Sequence, residues 1–355
     1  MAPATESALS ETIRTAAAER RALRLRGGGT KDFYGGEPQG EVLDTRAYAG
    51  IAAYEPSELV ITARCGTRLA DLEAALAEHG QMLPFEPPHF GPEATLGGCV
   101  AAGLSGPRRA AAGALRDFVL GARIVDGHGR ALAFGGQVMK NVAGYDVSRL
   151  LAGSLGTLGL LLEVSLKVLP RPPAELTLRL EMPQAKALEA LSRWAGQPLP
   201  VTASAWQDGD LTLRLAGAAA ALKAAAAKIG GERVAAAEAA AHWAAIREQT
   251  APFFSGPAPL WRLSLPAHAP QLELPGEQLL EWGGAQRWLK SGADAGTVRA
   301  AAARAGGHAT LFRAADKSAG AFTPLSPVLA RLHRELKSVF DPAGILNPGR
   351  LYPEL

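Results

Sequence analysis

The 355-residue chain has little to staple it together. Its two cysteines, Cys65 and Cys99, allow one disulfide at most and form no C-x-x-C pair, which is no framework for a small secreted fold. It also has little charge of one sign. Against 37 basic residues stand 34 acidic ones, a net charge of +3, which argues against a dedicated nucleic-acid or anionic-membrane surface. No window approaches 18 uninterrupted apolar residues, and the Ala-, Glu-, Ser-, Thr- and Arg-rich start lacks the apolar run of a secretory signal. The expectation is a soluble chain in a reducing cytoplasm, without direct membrane insertion. Two nucleotide motifs are missing as well. Asp32 stands where G-x-G-x-x-G needs a glycine, and no Gly-Lys dipeptide exists to make a P-loop. Neither a conventional NAD Rossmann site nor an ATPase site is supported.

What is present suggests two domains, or one large domain with an insertion, at about 100–200 residues per domain. Hydrophobic residues at 48% and charged residues at 20% disfavour disorder. Forty glycines and 25 prolines mark many turns and places where backbone approaches something closely. The pattern predicts a helix over 6–22, a short strand at 23–25 and a strand over 59–63. A helix follows, carrying Leu69, Leu72 and Leu76, with Thr67 as its cap and Gly80 as its stop. Residues 84–113 read as shaped loop around one short helix, 97–102. A hairpin is expected over 119–125 and 131–134, and a half-buried strand at 163–168. Pro170-Arg171-Pro172-Pro173 is the candidate domain boundary.

Beyond it, strands at 176–180, 201–206, 210–215 and 260–265 interleave with helices near 184–194, 218–229 and 237–248, which suggests an α+β unit with a largely antiparallel sheet. Ser326 and Pro327 open a last helix with Leu329, Leu332, Leu336 and Val339 on one face, ending at Phe340-Asp341-Pro342.

Three glycine clusters carry the chemistry. Arg26-Gly27-Gly28-Gly29-Thr30-Lys31 follows a short strand, where consecutive glycines let backbone N–H groups converge on an anion beside two cations and a hydroxyl. A ligand-free turn is the plain alternative. In Thr95-Leu96-Gly97-Gly98-Cys99, continuing to Ser105-Gly106, small residues at a helix start leave room for a diphosphate or flat ring, or equally for tight helix packing. Gly153-Ser154-Leu155-Gly156-Thr157-Leu158-Gly159 precedes the strand containing Val164. Each cluster has a bland reading; the three together make blandness less attractive.

These clusters, with Arg116-Asp-Phe-Val-Leu-Gly121 and the closing Phe340-Asp-Pro-Ala-Gly-Ile-Leu-Asn347-Pro-Gly349, resemble flavoproteins of the vanillyl-alcohol oxidase / p-cresol methylhydroxylase type. The resemblance covers roughly 20–170 and 330–355. It implies a two-part FAD-binding domain, 1–170 and 326–355, with an α+β cap domain, 171–325, inserted between the parts. The segment Gly136 to Leu150 is similar to the FAD-binding subunits of bacterial glycolate oxidases, complexes of two flavin subunits and one iron–sulfur subunit acting on a small 2-hydroxyacid.

The resemblance places Arg26 to Lys31 at the FAD pyrophosphate, residues 95–106 along the pyrophosphate and isoalloxazine, residues 153–164 at the adenosine end, and Asn347 in the pocket wall. Relatives that bond FAD covalently carry a histidine in the first glycine loop, where this chain has Thr30, so FAD is expected to be dissociable. Two departures stand out. The H-x-G-D-G-N-x-H motif of D-2-hydroxyacid dehydrogenases is missing, leaving His308 without ligand partners and no metal expected. Leu155 also replaces a glutamate common in the third cluster. The resemblance makes Arg108, Arg109, Lys140 and Arg350 the candidate cations near a flavin, and no histidine is convincing as a base. Three readings follow: a flavin subunit that relays electrons toward the iron–sulfur partner, a self-sufficient flavin dehydrogenase, or a scaffold without catalysis.

Overall fold

The computed structural model describes residues 5–136 and 146–355. The Gln137–Tyr145 part of the segment that carried the glycolate-oxidase resemblance, including Lys140, lies outside the described residues. Two antiparallel sheets organise the chain. The smaller has five strands in the order Ile51–Glu55, Val60–Arg64, Leu160–Lys167, Val119–Val125, Ala131–Gly135. Its centre is the predicted half-buried strand, in which Leu160, Leu162, Val164 and Leu166 are all buried. The helices Leu69–Glu78 and Leu96–Ala102 pack Leu69, Leu72, Leu76, Leu96 and Val100 into the same core. Phe85 and Phe118 close that core with ring centroids 5.8 Å apart.

The larger sheet has eight strands in the order Glu232–Val234, Glu175–Glu181, Asp210–Ala216, Val201–Gln207, Glu277–Glu281, Gln286–Lys290, Leu260–Ser264, His308–Arg313, all antiparallel. With the flanking helices Gln184–Ala195, Ala219–Ile229, Ala236–Glu248 and Ala295–Arg304, it is the α+β unit the alternation predicts. A short parallel pair, Leu23–Arg26 with Glu41–Asp44, is bridged from Leu23 to Leu346. That bridge ties the last residues of the chain to the glycine turn after Arg26.

Local differences from expectation have local causes. The first helix ends at Ala18, because Arg20 turns left-handed at φ 52°. Thr67 does not cap the second helix; its hydroxyl exchanges hydrogen bonds with Gly50 instead, and Arg68 is the capping residue. The hairpin Glu277–Glu281 with Gln286–Lys290 is not signalled by the sequence. Glu281 and Arg287, on opposite faces and only 3% and 1% exposed, erase the apolar alternation that marks a strand.

The last helix, Pro327–Phe340, is inverted. An apolar stripe ordinarily faces the core, yet of the expected face Leu329, Leu332 and Val339 are exposed, as is Val328, and Leu336 alone packs partly against the core. Turned inward instead are Lys337 and Phe340. The Lys337 ammonium pairs with Asp341 at 2.7 Å and donates to the carbonyls of Thr157 and Leu346.

Candidate functional site

One open groove of about 830 Å³, counted out to solvent, runs along the end of the strand Leu23–Arg26. It brings together Arg26, Gly27, Gly28, Gly29, Thr30, Lys31, Thr95, Gly97, Gly98, Gly156, Gly159 and Asn347, which span more than 300 residues of sequence. The turn is closed by the amide of Asp32 donating to the carbonyl of Gly29, which sits at φ 72°. Within it the amides of Gly28, Gly29, Thr30 and Lys31 donate to no acceptor among the described residues. Successive unspent N–H groups of this kind form an anion-binding concavity.

The side chains reinforce that sign. Arg24 and Arg26 share the carboxylate of Asp32, at 2.6 and 2.8 Å. Lys31 has no carboxylate partner among the described residues; its ammonium donates to the His89 carbonyl at 3.2 Å, and burial pulls its pKa down. Three cations against one carboxylate leave the turn positive. A dianionic diphosphate fits this donor set, and the bare backbone of Gly97, Gly98 and Gly156 leaves the walls open to a flat group.

The second cluster works differently from expectation. The first amides of the helix Leu96–Ala102 are already spent, Leu96 on Thr67, Gly97 on Cys65 and Gly98 on the Thr95 hydroxyl. It contributes small residues, not free donors. Leu96 and Val164 belong to the core beneath the groove. Thr157 is buried and bonded to Ser154. Gly153 donates to Val100, and neither it nor Thr157 reaches the groove lining. Asn347 braces the site, accepting from Leu25 and donating to the Leu155 carbonyl.

The other cations have assignments of their own. Arg108 is bonded between Glu86 and Glu175, and Arg109 lies over the Trp282 ring at 4.4 Å. Arg350 touches the groove, but its guanidinium donates to the carbonyls of Asp32, Tyr34 and Gly36. Both thiols are buried, and burial pushes Cys99 up to about 12. Among the described residues no cluster of His, Cys, Asp or Glu has the form of a metal site.

Ser105 and Gly106 line a second, smaller cleft, together with Phe90, Gln249, Arg262, Glu281, Gln286, Trp288 and Phe312. It adjoins the groove, since the Lys31 ammonium lies 5.4 Å from the centre of the Phe90 ring. Nothing in the sequence marks this cleft as a unit. Its polar residues come from a loop, a helix end and three strands, in no recognisable spacing.

Fold and groove together define an FAD-binding oxidoreductase of the vanillyl-alcohol oxidase type. Residues 1–135 match the family described as FAD binding domain, and residues 316–351 the C-terminal domain of FAD linked oxidases. Glycolate oxidase subunit GlcE of Escherichia coli K12 is 52% identical over 348 residues, 98% of this chain and 97% of that protein, and the chain belongs to its family. Glycolate oxidase subunit GlcD of Bacillus subtilis is 31% identical over 180 residues, and a D-lactate dehydrogenase of Archaeoglobus fulgidus 33% over 172. Those matches cover 50% and 48% of this chain and 38% of each relative. A structure of alkyldihydroxyacetonephosphate synthase superposes with a TM-score of 0.67 at 15% identity, over 98% of this chain and 76% of that one. At that identity the likeness concerns the fold. No helix among the described residues is long and apolar enough to cross a membrane.

Proposed function

We propose that this chain is the FAD-binding subunit of a multi-subunit glycolate oxidase, taking part in the oxidation of glycolate to glyoxylate and passing electrons toward an iron–sulfur subunit. The observation that carries the reading is the run of unspent amides from Gly28 to Lys31, set in a positive groove. It occurs in a chain 52% identical, over 98% of its length, to a protein named as a glycolate oxidase subunit. In this reading residues 1–170 and 326–355 form the FAD-binding part, and 171–325 the inserted part. The Arg26–Lys31 turn holds the pyrophosphate. Thr95 to Gly98 flank it, Gly156 and Gly159 border the adenosine end, and Asn347 keeps the two loops at their spacing. FAD, when bound, supplies a two-electron acceptor. The chain's own residues bind and orient it.

Dissociable FAD follows from the same residues. The first glycine loop offers Thr30 and no histidine, and the Cys99 thiol is buried and held protonated. The partners in this reading are a second flavin subunit and an iron–sulfur subunit.

The test is to purify the full chain, alone and co-expressed with its partner subunits, denature it and identify what is released. Near-equimolar FAD, freed completely by denaturation, is expected. A chain that takes up no FAD in either state overturns the reading in favour of a scaffold.

A further inference from the structure

The second cleft holds a buried carboxylate, Glu281, and a half-buried cation, Arg262, that are not used on one another. Glu281 and Gln286 are register partners on neighbouring strands, as are Arg262 and Trp288. Residues 286 and 288 of one strand point to the same face of the sheet, so these four side chains share a surface, and all line the cleft. Glu281 is 3% exposed. Its Oε2 accepts from Trp288 Nε1 at 2.6 Å and from Gln286 Nε2 at 2.9 Å, while its Oε1 has no donor among the described residues. Arg262 has no carboxylate partner among the described residues. Its one hydrogen bond goes to the Tyr34 hydroxyl at 3.2 Å, and its guanidinium rests on the Tyr34 and Phe312 rings. Gln249, on the same cleft, has a buried Oε1 with no partner among the described residues.

An unpaired buried charge is costly. Arg108 and Arg214, also buried, each find Glu86, and Lys337 finds Asp341. Arg262 and Glu281 depart from that pattern where the larger sheet meets the 104–107 loop. The cleft measures only about 300 Å³ out to its mouth, so a guest is small. A cation at one end and a proton acceptor at the other match the two ends of a 2-hydroxycarboxylate.

We propose that this cleft is a binding site for a small 2-hydroxycarboxylate, with Arg262 pairing its carboxylate and Glu281 taking the proton of its hydroxyl. The chain then has its own substrate site and does more than relay electrons. Binding at this site is independent of the FAD reading, but the oxidation rests on it. The substrate's O–H proton would go to Glu281 and its Cα hydride, which carries both electrons, to bound FAD, leaving a 2-oxoacid. Burial, aided by the nearby charge of Glu86 and opposed by the bonds from Trp288 and Gln286, pushes the Glu281 carboxyl up to about 7. That suits a group exchanging a proton near neutrality.

The probe is oxalate, a two-carbon acid with no hydride to give, titrated calorimetrically into the FAD-loaded full chain, with FAD content measured on every sample. Wild-type protein is expected to bind it, and Arg262→Gln to weaken it at least 10-fold at unchanged FAD content. Arg233→Gln, which removes an exposed cation elsewhere, is expected to leave binding unchanged. If Arg262→Gln does not fold, Arg262→Lys, which keeps the charge but loses the fork, is expected to weaken binding in a folded protein. Glu281→Gln is expected to hold oxalate within 3-fold of wild type and to slow anaerobic flavin reduction by glycolate about 100-fold or more. No oxalate binding by FAD-loaded chain, or equal binding by the folded Arg262 variants, overturns the site. Unchanged flavin reduction in Glu281→Gln overturns the proton role. A chain without FAD contradicts the functional reading alone, because oxalate binding is then read on the same samples without flavin.

Discussion

Asn347 reaches back 192 residues to Leu155, its Nδ2 donating to the Leu155 carbonyl at 2.6 Å, while its Oδ1 accepts from the Leu25 amide at 2.7 Å. One carboxamide thus sets the distance between the strand that leads into the glycine turn and the loop on the far wall of the groove. Asn347 sits at φ 45°, a left-handed conformation that asparagine tolerates better than most residues.

Replacing Asn347 by alanine strands two backbone groups and adds strain at a positive φ. At about 1–3 kcal/mol for each unsatisfied buried group, Asn347→Ala is expected to lower unfolding stability by about 3 kcal/mol and to loosen FAD. The check is the urea midpoint with an unchanged slope, alongside FAD retained on gel filtration. A midpoint within 0.5 M of wild type contradicts the brace.

The glycine turn makes a sharper prediction, because space and not charge is at stake. A Cβ on Gly28 would fall onto the Glu93 carbonyl oxygen, whereas one on Gly292 would meet nothing within 4 Å. Backbone atoms cannot step aside as a flexible side chain can. Gly28→Ala is therefore expected to shift the turn and cost at least 10-fold in FAD affinity, with Gly292→Ala indistinguishable from wild type. Fluorescence titration of apoprotein with FAD measures both.

Much of this was legible in the sequence, for identifiable reasons. The Gly27–Gly29 run, the alternation over 163–168 and the Ser326–Pro327 helix start are local signals, and each marks an element the structure contains, although Ser165 on the expected outer face is buried because the strand lies at the centre of its sheet. Of residues 95–98, Thr95, Gly97 and Gly98 line the groove while Leu96 turns into the core, and the helix-start amides are spent on Cys65, Thr67 and Thr95, contacts that chain periodicity does not encode. The cleft around Arg262 and Glu281 was invisible. A buried glutamate in a strand reads as a solvent-facing residue until the neighbouring strands are known.

The last helix predicts a contrast between exposed apolar side chains and a buried lysine. Val328→Ser and Leu332→Ser remove side chains that are 62% and 43% exposed, and each is expected to change the stability of the isolated chain by no more than about 0.5 kcal/mol. Lys337→Met leaves Asp341 buried without its cation and frees two carbonyls, a change expected to cost about 3–5 kcal/mol. Chemical denaturation of the three variants tests the ordering. A Leu332→Ser penalty as large as that of Lys337→Met would mean that the helix presents its apolar face inward.

Glu281 finally gives the chain a pH signature. Its carboxyl is carried from an ordinary 4.5 up to about 7 in the folded protein, mainly by burial, against the hydrogen bonds from Trp288 and Gln286. The folded state therefore holds a proton that the unfolded state releases above about pH 4.5. Linkage makes stability fall with rising pH wherever the folded state binds more protons. The contribution of this group is complete below 4.5, is lost progressively up to about pH 7 and is flat above it, a total of about 3 kcal/mol at 1.36 kcal/mol per pH unit. Glu281→Gln keeps the shape and cannot ionise, so its stability is expected to lack that fall. Urea unfolding of wild type and Glu281→Gln at pH 5, 6, 7 and 8 isolates the term as the difference between the two curves. Parallel curves would place the carboxyl in the ordinary range and remove it as a group able to exchange a proton near neutrality.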